Sequence, residues 1–224
     1  MESIESFYGH SYAATSQQGF MKRYHNYTHR SLEKGLQSGC FPSVLEVGAN
    51  TGEHFPFVVH SFQKYIASDI RYSESGEVDY WTPTACEKIE FCYADIQKLP
   101  FEEKTFDRVI VTCVLHHVQD EMSALKELKR VTKPGGTVSV LLSSDPSLMY
   151  RMAWNLTSRK KLIKSGSKNP HLQHALEHQG SSFHISQLLY HVFAEDMISE
   201  RRYPLSGLPL DLSLFSVIQI KIKG

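Results

Sequence analysis

A short glycine turn is the first feature of the sequence that could bind a ligand. Residues 46–52 read EVGANTG and complete a run of apolar residues. Gly48 would allow a tight turn, and Gly52 would let the next helix lie close to a ligand. Asn50 stands where dinucleotide-binding turns carry a glycine, which disfavours NAD or FAD. Because Asn tolerates left-handed backbone, we expect the turn to form and to suit a ligand without phosphates there.

Acidic residues lie at the ends of the first three apolar runs, at Glu46, Asp69 and Asp95. Asp69 lies about 20 residues after Gly48, where a carboxylate accepts ribose hydroxyls in nucleoside-binding α/β folds. A carboxylate at Asp95 can accept a hydrogen bond from an adenine amino group. Aspartates at strand ends also serve as turn residues or helix caps. The joint register of the three acids nevertheless predicts one nucleoside-binding crevice.

Short apolar runs alternate with helical patterns along the chain, as in an α/β protein with a parallel sheet. The helix over residues 120–132 is the best defined, since Asp120 can cap it and Pro134 follows it. Five strand–helix steps and a closing strand pair predict a doubly wound, mostly parallel, seven-stranded sheet. The predicted strands are residues 43–47, 65–69, 89–94, 106–112, 137–142, 197–203 and 212–223, and the other predicted helices are 51–62 and 184–194.

Two segments lie outside this alternation. Residues 1–40 predict a helical lid ahead of the main domain at 41–224, and residues 144–183 predict a cap inserted after strand five. Residues 146–176 contain basic residues and no acidic residue. The pattern fits recognition of an acidic substrate or a membrane surface, or a solvated cap helix packed on the core. The basic residues are Arg151, Arg159, Lys160, Lys161, Lys164 and Lys168, and one helical face carries Met149, Met152, Leu156 and Ile163.

The composition argues against several classes of protein. The 224 residues carry 24 Lys and Arg against 24 Asp and Glu, so the basic surplus of a nucleic-acid groove is lacking. With 41% hydrophobic residues the chain can pack a core, but it shows no bilayer-spanning apolar run and no secretory signal. The four cysteines have no CxxC spacing. We expect buried free thiols in a reducing compartment and a cytoplasmic protein.

Five segments follow one another in a fixed order: LEVGANTGEH at 45–54, ADIQKLPF at 94–101, FD at 106–107, VLHHV at 114–118 and KPGGT at 133–137. They resemble the motifs of the class I S-adenosylmethionine-dependent methyltransferases. They are similar to the small-molecule branch that includes ubiquinone- and menaquinone-type enzymes. The resemblance is strong over about residues 43–143 and looser over 184–223. Residues 1–40 and 144–183, where substrate is normally selected, carry no specific match.

The resemblance implies a Rossmann-like methyltransferase fold and S-adenosylmethionine as cofactor. Glu46 and the turn backbone would hold the methionine part, Asp69 the ribose, and Asp95 the adenine amino group. The departure at Asn50 bears on affinity for the cofactor, not on its identity. The other implied contacts are Ile70 and Ile96 against the adenine, the carbonyl near Thr112 for the α-amino group, and Gly48, Ala49, Asn50 and Gly52 in the turn.

Methyl transfer is an in-line displacement, and a hydroxyl or amine acceptor must also lose a proton, for which histidine is suited. His117, with His116 as second candidate, is the predicted general base after strand four, unless these histidines only pack under the sheet edge. Asp145 could orient such a histidine, bind substrate, or serve only as a turn residue. By resemblance, Tyr8 or Tyr12 in the lid would close on the substrate, unless they only pack between helices.

His171, His174 and His178 share one helical face, which a solvated or substrate-facing helix explains, so we predict no metal site. The predicted function is methyl transfer from S-adenosylmethionine to O or N of a small molecule, an acidic one if the basic segment binds it. The alternatives are C-methylation of a quinone-like or lipid-like acceptor, or a non-catalytic sensor or partner subunit that binds the cofactor. We expect a monomer or homodimer without nucleic acid, with a membrane surface as a less favoured partner.

Overall fold

The computed structural model describes residues 19–50, 52–70, 89–207 and 209–224. Seven strands form one sheet: β1 Ser43–Val47, β2 Lys64–Asp69, β3 Ile89–Tyr93, β4 Phe106–Thr112, β5 Thr132–Ser143, β6 Met197–Tyr203 and β7 Phe215–Lys221. The strand order is β3-β2-β1-β4-β5-β7-β6. Strands β1 to β5 pair in parallel, and β7 runs antiparallel to both β5 and β6. The predicted doubly wound, mostly parallel sheet is confirmed.

The described helices flank this sheet. They are α1 Gly19–Glu33, α2 Glu121–Val131, α3 Leu148–Leu156, α4 Ser158–Lys164, α5 Pro170–Glu177 and α6 Ser182–Val192, with short 3₁₀ turns at Phe55–Phe57, Leu115–His117 and Leu210–Leu212. The predicted cap of α2 is confirmed, because the Asp120 carboxylate accepts the Ser123 N–H at 3.0 Å. None of the helices described here is long and apolar enough to cross a bilayer.

The strand boundaries agree with prediction except near β5 and β7. Strand β5 begins at Thr132 rather than 137, because the intervening backbone pairs with the end of the chain. Gly135 donates its N–H to the Ile222 carbonyl at 2.9 Å, and Ile222 donates to the Gly136 carbonyl at 3.0 Å. Strand β7 begins at Phe215, since a 3₁₀ turn precedes it. Long-range backbone hydrogen bonds, which local composition does not encode, therefore set the start of β5.

The predicted helix at 51–62 is wrong for the part of it that is described. Residues 52–63 contain only the 3₁₀ turn around Pro56, after which Val58 is extended. Pro56 removes a backbone donor. The Val59 N–H bonds instead to the Glu33 carboxylate of α1, at 3.2 Å. A side chain from another helix therefore accepts a backbone N–H that would otherwise have bonded to a carbonyl within a helix.

Two apolar cores lie on opposite faces of the sheet. The larger packs Leu125 of α2 and Leu189 of α6 against the strands, and the smaller packs Leu32 of α1. The described part of the predicted lid is thus seated on the sheet; Tyr8 and Tyr12 lie outside the described residues. The expectation of buried thiols is wrong for Cys40, which is free and exposed beside the sheet. Burial raises the pKa of the Cys113 thiol to about 11, as expected of a buried thiol.

Candidate functional site

The glycine turn lies at the point where the strand order reverses, between β1 and β4. Gly48, Asn50 and Gly52 have φ angles of 72°, 48° and 74°. Asn50 therefore adopts the left-handed conformation expected of it. At Gly48 a Cβ atom would lie 2.0 Å from Cγ2 of Val114, so only glycine fits beneath the loop that follows β4.

The first two predicted acids lie beside this turn, and both are buried. Asp69 accepts the backbone N–H of Asn50 at 2.9 Å, which joins the end of β2 to the turn. Glu46 accepts the Tyr65 hydroxyl at 2.6 Å through Oε2. Its Oε1 is buried without a hydrogen-bond partner in the described parts of the chain. Burial outweighs the Tyr65 hydrogen bond and raises the pKa of Glu46 to about 8.

The third predicted acid and its neighbours are placed differently. Asp95 is half-buried and accepts the Gln97 N–H at 2.9 Å, so it acts as a turn residue in this conformation. Ile70 is 56% exposed at the sheet edge, where a ligand can reach it, whereas Ile96 belongs to the larger core. Thr112 is half-buried at the end of β4. The structure thus brings Ile70, but not Ile96, to an accessible edge, because Ile96 contributes to the packing of the sheet.

The two histidines after β4 have opposite environments. His116 is buried, donates through Nδ1 to the Gly180 carbonyl at 2.9 Å, and accepts the Ser143 hydroxyl through Nε2 at 2.7 Å. Burial lowers the pKa of His116 to about 4, so the ring is neutral near pH 7. His117 is exposed and donates through Nδ1 to the Glu177 carbonyl at 2.7 Å. His116 is therefore a structural anchor, and His117 keeps a solvent-accessible ring.

Asp145 joins two of the histidines on the predicted cap. The same oxygen, Oδ2, accepts His174 Nε2 at 2.9 Å and His178 Nδ1 at 2.8 Å. Burial alone would raise the pKa of Asp145, but these hydrogen bonds outweigh it and hold that pKa well below its usual range. The three ligand atoms lie within 4.8 Å of one another, a spacing that could also hold a metal ion. His171, the third predicted member, packs on Trp154 instead.

Aromatic rings surround this Asp145 cluster, which we define as Asp145, His174 and His178. The His178 ring stacks on His116 with centroids 5.1 Å apart and 9° between planes, and His117 meets it edge-on at 4.9 Å. Trp154 packs on His174 at 4.8 Å. The loop after β4 and the segment after β5 therefore form one aromatic surface at the carboxyl edge of the sheet.

A buried polar chain beneath the turn was missed by sequence reasoning. One face of α1 carries His25, His29 and Glu33. The His29 ring hydrogen-bonds to His25 and to His54, each at 2.8 Å, and His54 hydrogen-bonds to the Glu33 carboxylate at 3.0 Å. Glu33 also accepts Arg108 Nη2 at 2.6 Å. The signal was the spacing of these α1 residues every fourth position, together with a charged Arg108 inside an apolar strand.

The basic segment differs from a single amphipathic helix. Its first part forms α3 and α4, which meet at Thr157 and bury Trp154 and Leu162, and α5 follows them. The apolar face expected to pack is largely exposed, with Met152, Leu156 and Ile163 at 58%, 64% and 48%. The two helices pack through Trp154 and Leu162 instead, so the apolar face that the sequence singled out is not the packed one.

Comparison with known proteins decides the class of the domain. A family described as a methyltransferase domain matches residues 45–140. That range holds the glycine turn, Asp69, Asp95 and the histidine pair. This part of the chain is therefore similar to a methyltransferase domain. Its strand order and the expected Rossmann-like methyltransferase fold agree with this family.

Similar curated proteins are quinone-pathway methyltransferases. The demethylmenaquinone methyltransferase of Staphylococcus epidermidis is 38% identical over 81 residues, 36% of this chain and 34% of that protein. The ubiquinone/menaquinone biosynthesis C-methyltransferase UbiE of Hahella chejuensis is 32% identical over 120 residues, 51% and 47% of the two chains. The matches thus span a third to a half of these relatives' length.

Solved structures share the fold of the methyltransferase domain at low sequence identity. A chain of the Haloferax volcanii complex between the Trm112 methyltransferase activator and a methyltransferase aligns with a TM-score of 0.65 and 11% identity, covering 100% of this chain and 99% of that one. An S-adenosylmethionine-dependent methyltransferase from Mesorhizobium loti aligns with a TM-score of 0.53 and 15% identity, covering 87% and 96%. These likenesses support the fold.

The methyltransferase family and fold imply S-adenosylmethionine as cofactor. The residues present fit it. Beside the left-handed turn at Gly48, the Glu46 Oε1 atom is a buried carboxyl oxygen without a hydrogen-bond partner in the described chain, which a polar group of the cofactor would satisfy. Asp69 closes the same end of the sheet with a carboxylate. Glu46, the turn and Asp69 are therefore the residues that would hold the cofactor.

Proposed function

We propose that this chain transfers a methyl group from S-adenosylmethionine to carbon of a small hydroxyaromatic acceptor of the quinol type. The carrying observation is the match of a methyltransferase domain to residues 45–140, which contain the left-handed turn tied to Asp69. The predicted O or N acceptor gives way to the C-methyl alternative, since a similar protein is named as a C-methyltransferase. A small-molecule acceptor agrees with the names of these relatives.

Each end of the crevice has a defined task in this proposal. When bound, S-adenosylmethionine supplies an electrophilic methyl group. The turn at Gly48 and Asn50 presents bare backbone to its amino-acid part, and Asp69 accepts from its ribose hydroxyls. Asp95 can turn from the Gln97 N–H toward the adenine amino group. Orientation of the acceptor in line with the methyl group supplies much of the rate.

The acceptor is expected on the opposite side of the crevice, where the loops after β4 and β5 meet. His116, buried and neutral, fixes the β4 loop to Ser143 of β5 and to Gly180. The basic segment at 146–176 lies beyond, and its exposed apolar and basic side chains suit an amphipathic acceptor or the surface that carries it. The lid at 1–40 and the cap at 144–183 remain predictions for substrate selection.

Isothermal titration with S-adenosylmethionine and S-adenosylhomocysteine tests the cofactor part. Asp69→Asn keeps an oxygen for the Asn50 N–H but removes the charge. We expect it to weaken binding about tenfold or more, as for lost hydrogen bonds to a charged group. Asp211→Asn, an exposed aspartate in a 3₁₀ turn, is the matched control and should bind as wild type. No binding by wild type would contradict a cofactor site.

Methyl transfer to a demethylated naphthoquinol with a short prenyl chain tests the acceptor. Mass spectrometry should locate one added methyl on ring carbon, and S-adenosylhomocysteine should form in equal amount. A methyl group found on oxygen would contradict the proposed C-methylation and would show that the protein is an O-methyltransferase. Cofactor binding without transfer to any quinol or phenol would instead favour the sensor or partner-subunit alternative. Asn50, where the turn departs from the expected glycine, has the left-handed backbone conformation that glycine adopts readily.

A further inference from the structure

Asp145 places His178 in the geometry of a carboxylate–imidazole pair. Its carboxylate accepts the Nδ1 hydrogen of His178 at 2.8 Å, which fixes the tautomer and leaves Nε2 as the basic nitrogen. A proton that arrives at Nε2 creates an imidazolium, and the carboxylate stabilises that charge directly. His117 lacks this support, because its Nδ1 donates to the neutral Glu177 carbonyl. His178 is thus a better equipped base than His117.

The surroundings hold this pair rigidly. The Ser182 N–H bonds to the Asp145 carbonyl at 2.8 Å, and the Gln179 N–H bonds to the His116 carbonyl at 2.8 Å. His116 supports one face of the His178 ring. These backbone hydrogen bonds join Asp145 to the start of α6, and the residue after His178 to the loop that follows β4. A preorganised base needs such support.

The titratable groups that face His178 come from three segments. They are His174 on α5, His116 and His117 after β4, and Asp145 after β5. Asp145 is the carboxylate that contacts the His178 ring, and burial keeps the His116 ring neutral near pH 7. An imidazolium formed at His178 would therefore lie directly beside a carboxylate, 2.8 Å from its Oδ2.

We infer that His178, positioned by Asp145, is the base that removes the hydroxyl proton of an aromatic acceptor lying against this ring cluster. The inference rests on the proposed function in taking the acceptor to be hydroxyaromatic. The hydroxyl proton moves to Nε2, and the electron pair of the O–H bond is delocalised into the aromatic ring. The ortho carbon then bonds to the methyl carbon while the carbon–sulfur bond breaks, with its electron pair passing to sulfur. The ring C–H proton returns to the oxygen, and His178 releases its proton to water.

Binding of 1-naphthol without cofactor tests this inference apart from methyl transfer. Ionisation of bound 1-naphthol is followed by absorbance against pH. In wild type we expect the ionised form to appear about one pH unit or more below its midpoint in buffer. His178→Gln, which can still donate to Asp145, should lose this shift, and Asp145→Asn should reduce it. His191→Gln, an exposed histidine on α6, is the control and should behave as wild type.

Outcomes that overturn the inference are equally defined. If His178→Gln ionises 1-naphthol as wild type does, or if wild type does not bind it, His178 is not the base. If EDTA abolishes the shift, the cluster is a metal site instead. If the variant does not fold, ¹⁵N shifts of His178 in wild type decide: Nε2 should become protonated when 1-naphthol binds, and an unchanged ring contradicts the inference.

Turnover separates this inference from the proposed function. With the naphthoquinol acceptor, His178→Gln should slow methyl transfer about 100-fold or more, with recovery on adding imidazole and with cofactor affinity unchanged. A wild type that ionises 1-naphthol but transfers no methyl group would overturn the proposed function and leave the base in place. Full transfer by His178→Gln would overturn the inference and leave the proposed function standing.

Discussion

The backbone N–H of Asn50 donates to the Asp69 carboxylate at 2.9 Å, so one hydrogen bond connects the glycine turn to the end of the next strand. The bond depends on the left-handed conformation of Asn50, at φ 48°. In the proposed function both elements contact the cofactor. Their geometry is therefore coupled before any ligand arrives, which reduces the ordering cost of binding.

Substitution at Asn50 should separate backbone conformation from side-chain chemistry. Asn50→Ala should lower the free energy of unfolding by about 1 kcal/mol, because alanine tolerates left-handed backbone poorly. Asn50→Gly should keep stability close to wild type and keep cofactor affinity, since glycine adopts this conformation freely. Urea unfolding and isothermal titration of both variants measure this. Equal behaviour of the two variants would show that the φ angle of residue 50 is unimportant.

Gly48→Ala should be more damaging than either change at Asn50. The new Cβ would lie 2.0 Å from Val114 Cγ2, and the φ angle of 72° adds strain. We expect a loss of about 2 kcal/mol or more in unfolding free energy and loss of cofactor binding. When Gly48→Ala is combined with Val114→Ala, the protein should recover only the part of the unfolding free energy that the steric clash had removed. Complete recovery in the double variant would show that backbone strain contributes nothing.

The buried Arg108–Glu33 pair should be costly to break. Both residues are almost fully buried, with Nη2 and Oε1 2.6 Å apart. Burial alone would raise the pKa of Glu33, but hydrogen bonds from His54 and Arg108 lower it to about 2. Arg108→Met should leave this carboxylate uncompensated and reduce the unfolding free energy by about 3–5 kcal/mol. Chemical denaturation measures the loss.

Two companion variants make the Arg108 measurement specific. Lys64→Met breaks an exposed pair with Glu90 and should cost less than about 1 kcal/mol. Arg108→Met with Glu33→Met should recover part of the loss, because no buried charge remains. A loss for Arg108→Met no larger than for Lys64→Met would mean that the buried pair does not stabilise the fold.

Acid should destabilise the protein through His116. Burial lowers its pKa from 6.5 to about 4 in the folded state, so the unfolded chain binds more protons between these values. The contribution of His116 to the free energy of unfolding is fully present above about pH 6.5. It falls by about 3 kcal/mol as the pH decreases to 4. His116→Asn should remove this part of the slope when unfolding is measured between pH 7 and 4. An identical slope in wild type and variant would contradict the assignment.

Much of the cofactor side could be predicted from local sequence. Gly48, Asn50 and Asp69 follow short apolar runs whose alternation specifies strands and turns, and left-handed backbone at Gly and Asn follows from their side chains. Asp95 and Ile96 show the limit of that reasoning. Their positions in the chain are those expected to contact adenine. In the structure, however, the Asp95 carboxylate accepts a hydrogen bond within its own turn, and Ile96 packs in the core. Which face a residue presents depends on neighbours that the local pattern does not name.

The sequence by itself determined the alternation of strands and helices, the turn and the class of domain, because these depend on spacing within a few residues. Tertiary structure decided the rest. Glu33 replaced a helix with an extended segment by bonding to Val59, 26 positions away. His178 met Asp145 across 33 positions. Such partners are chosen by how helices pack on the sheet, and burial then sets their charge and tautomer.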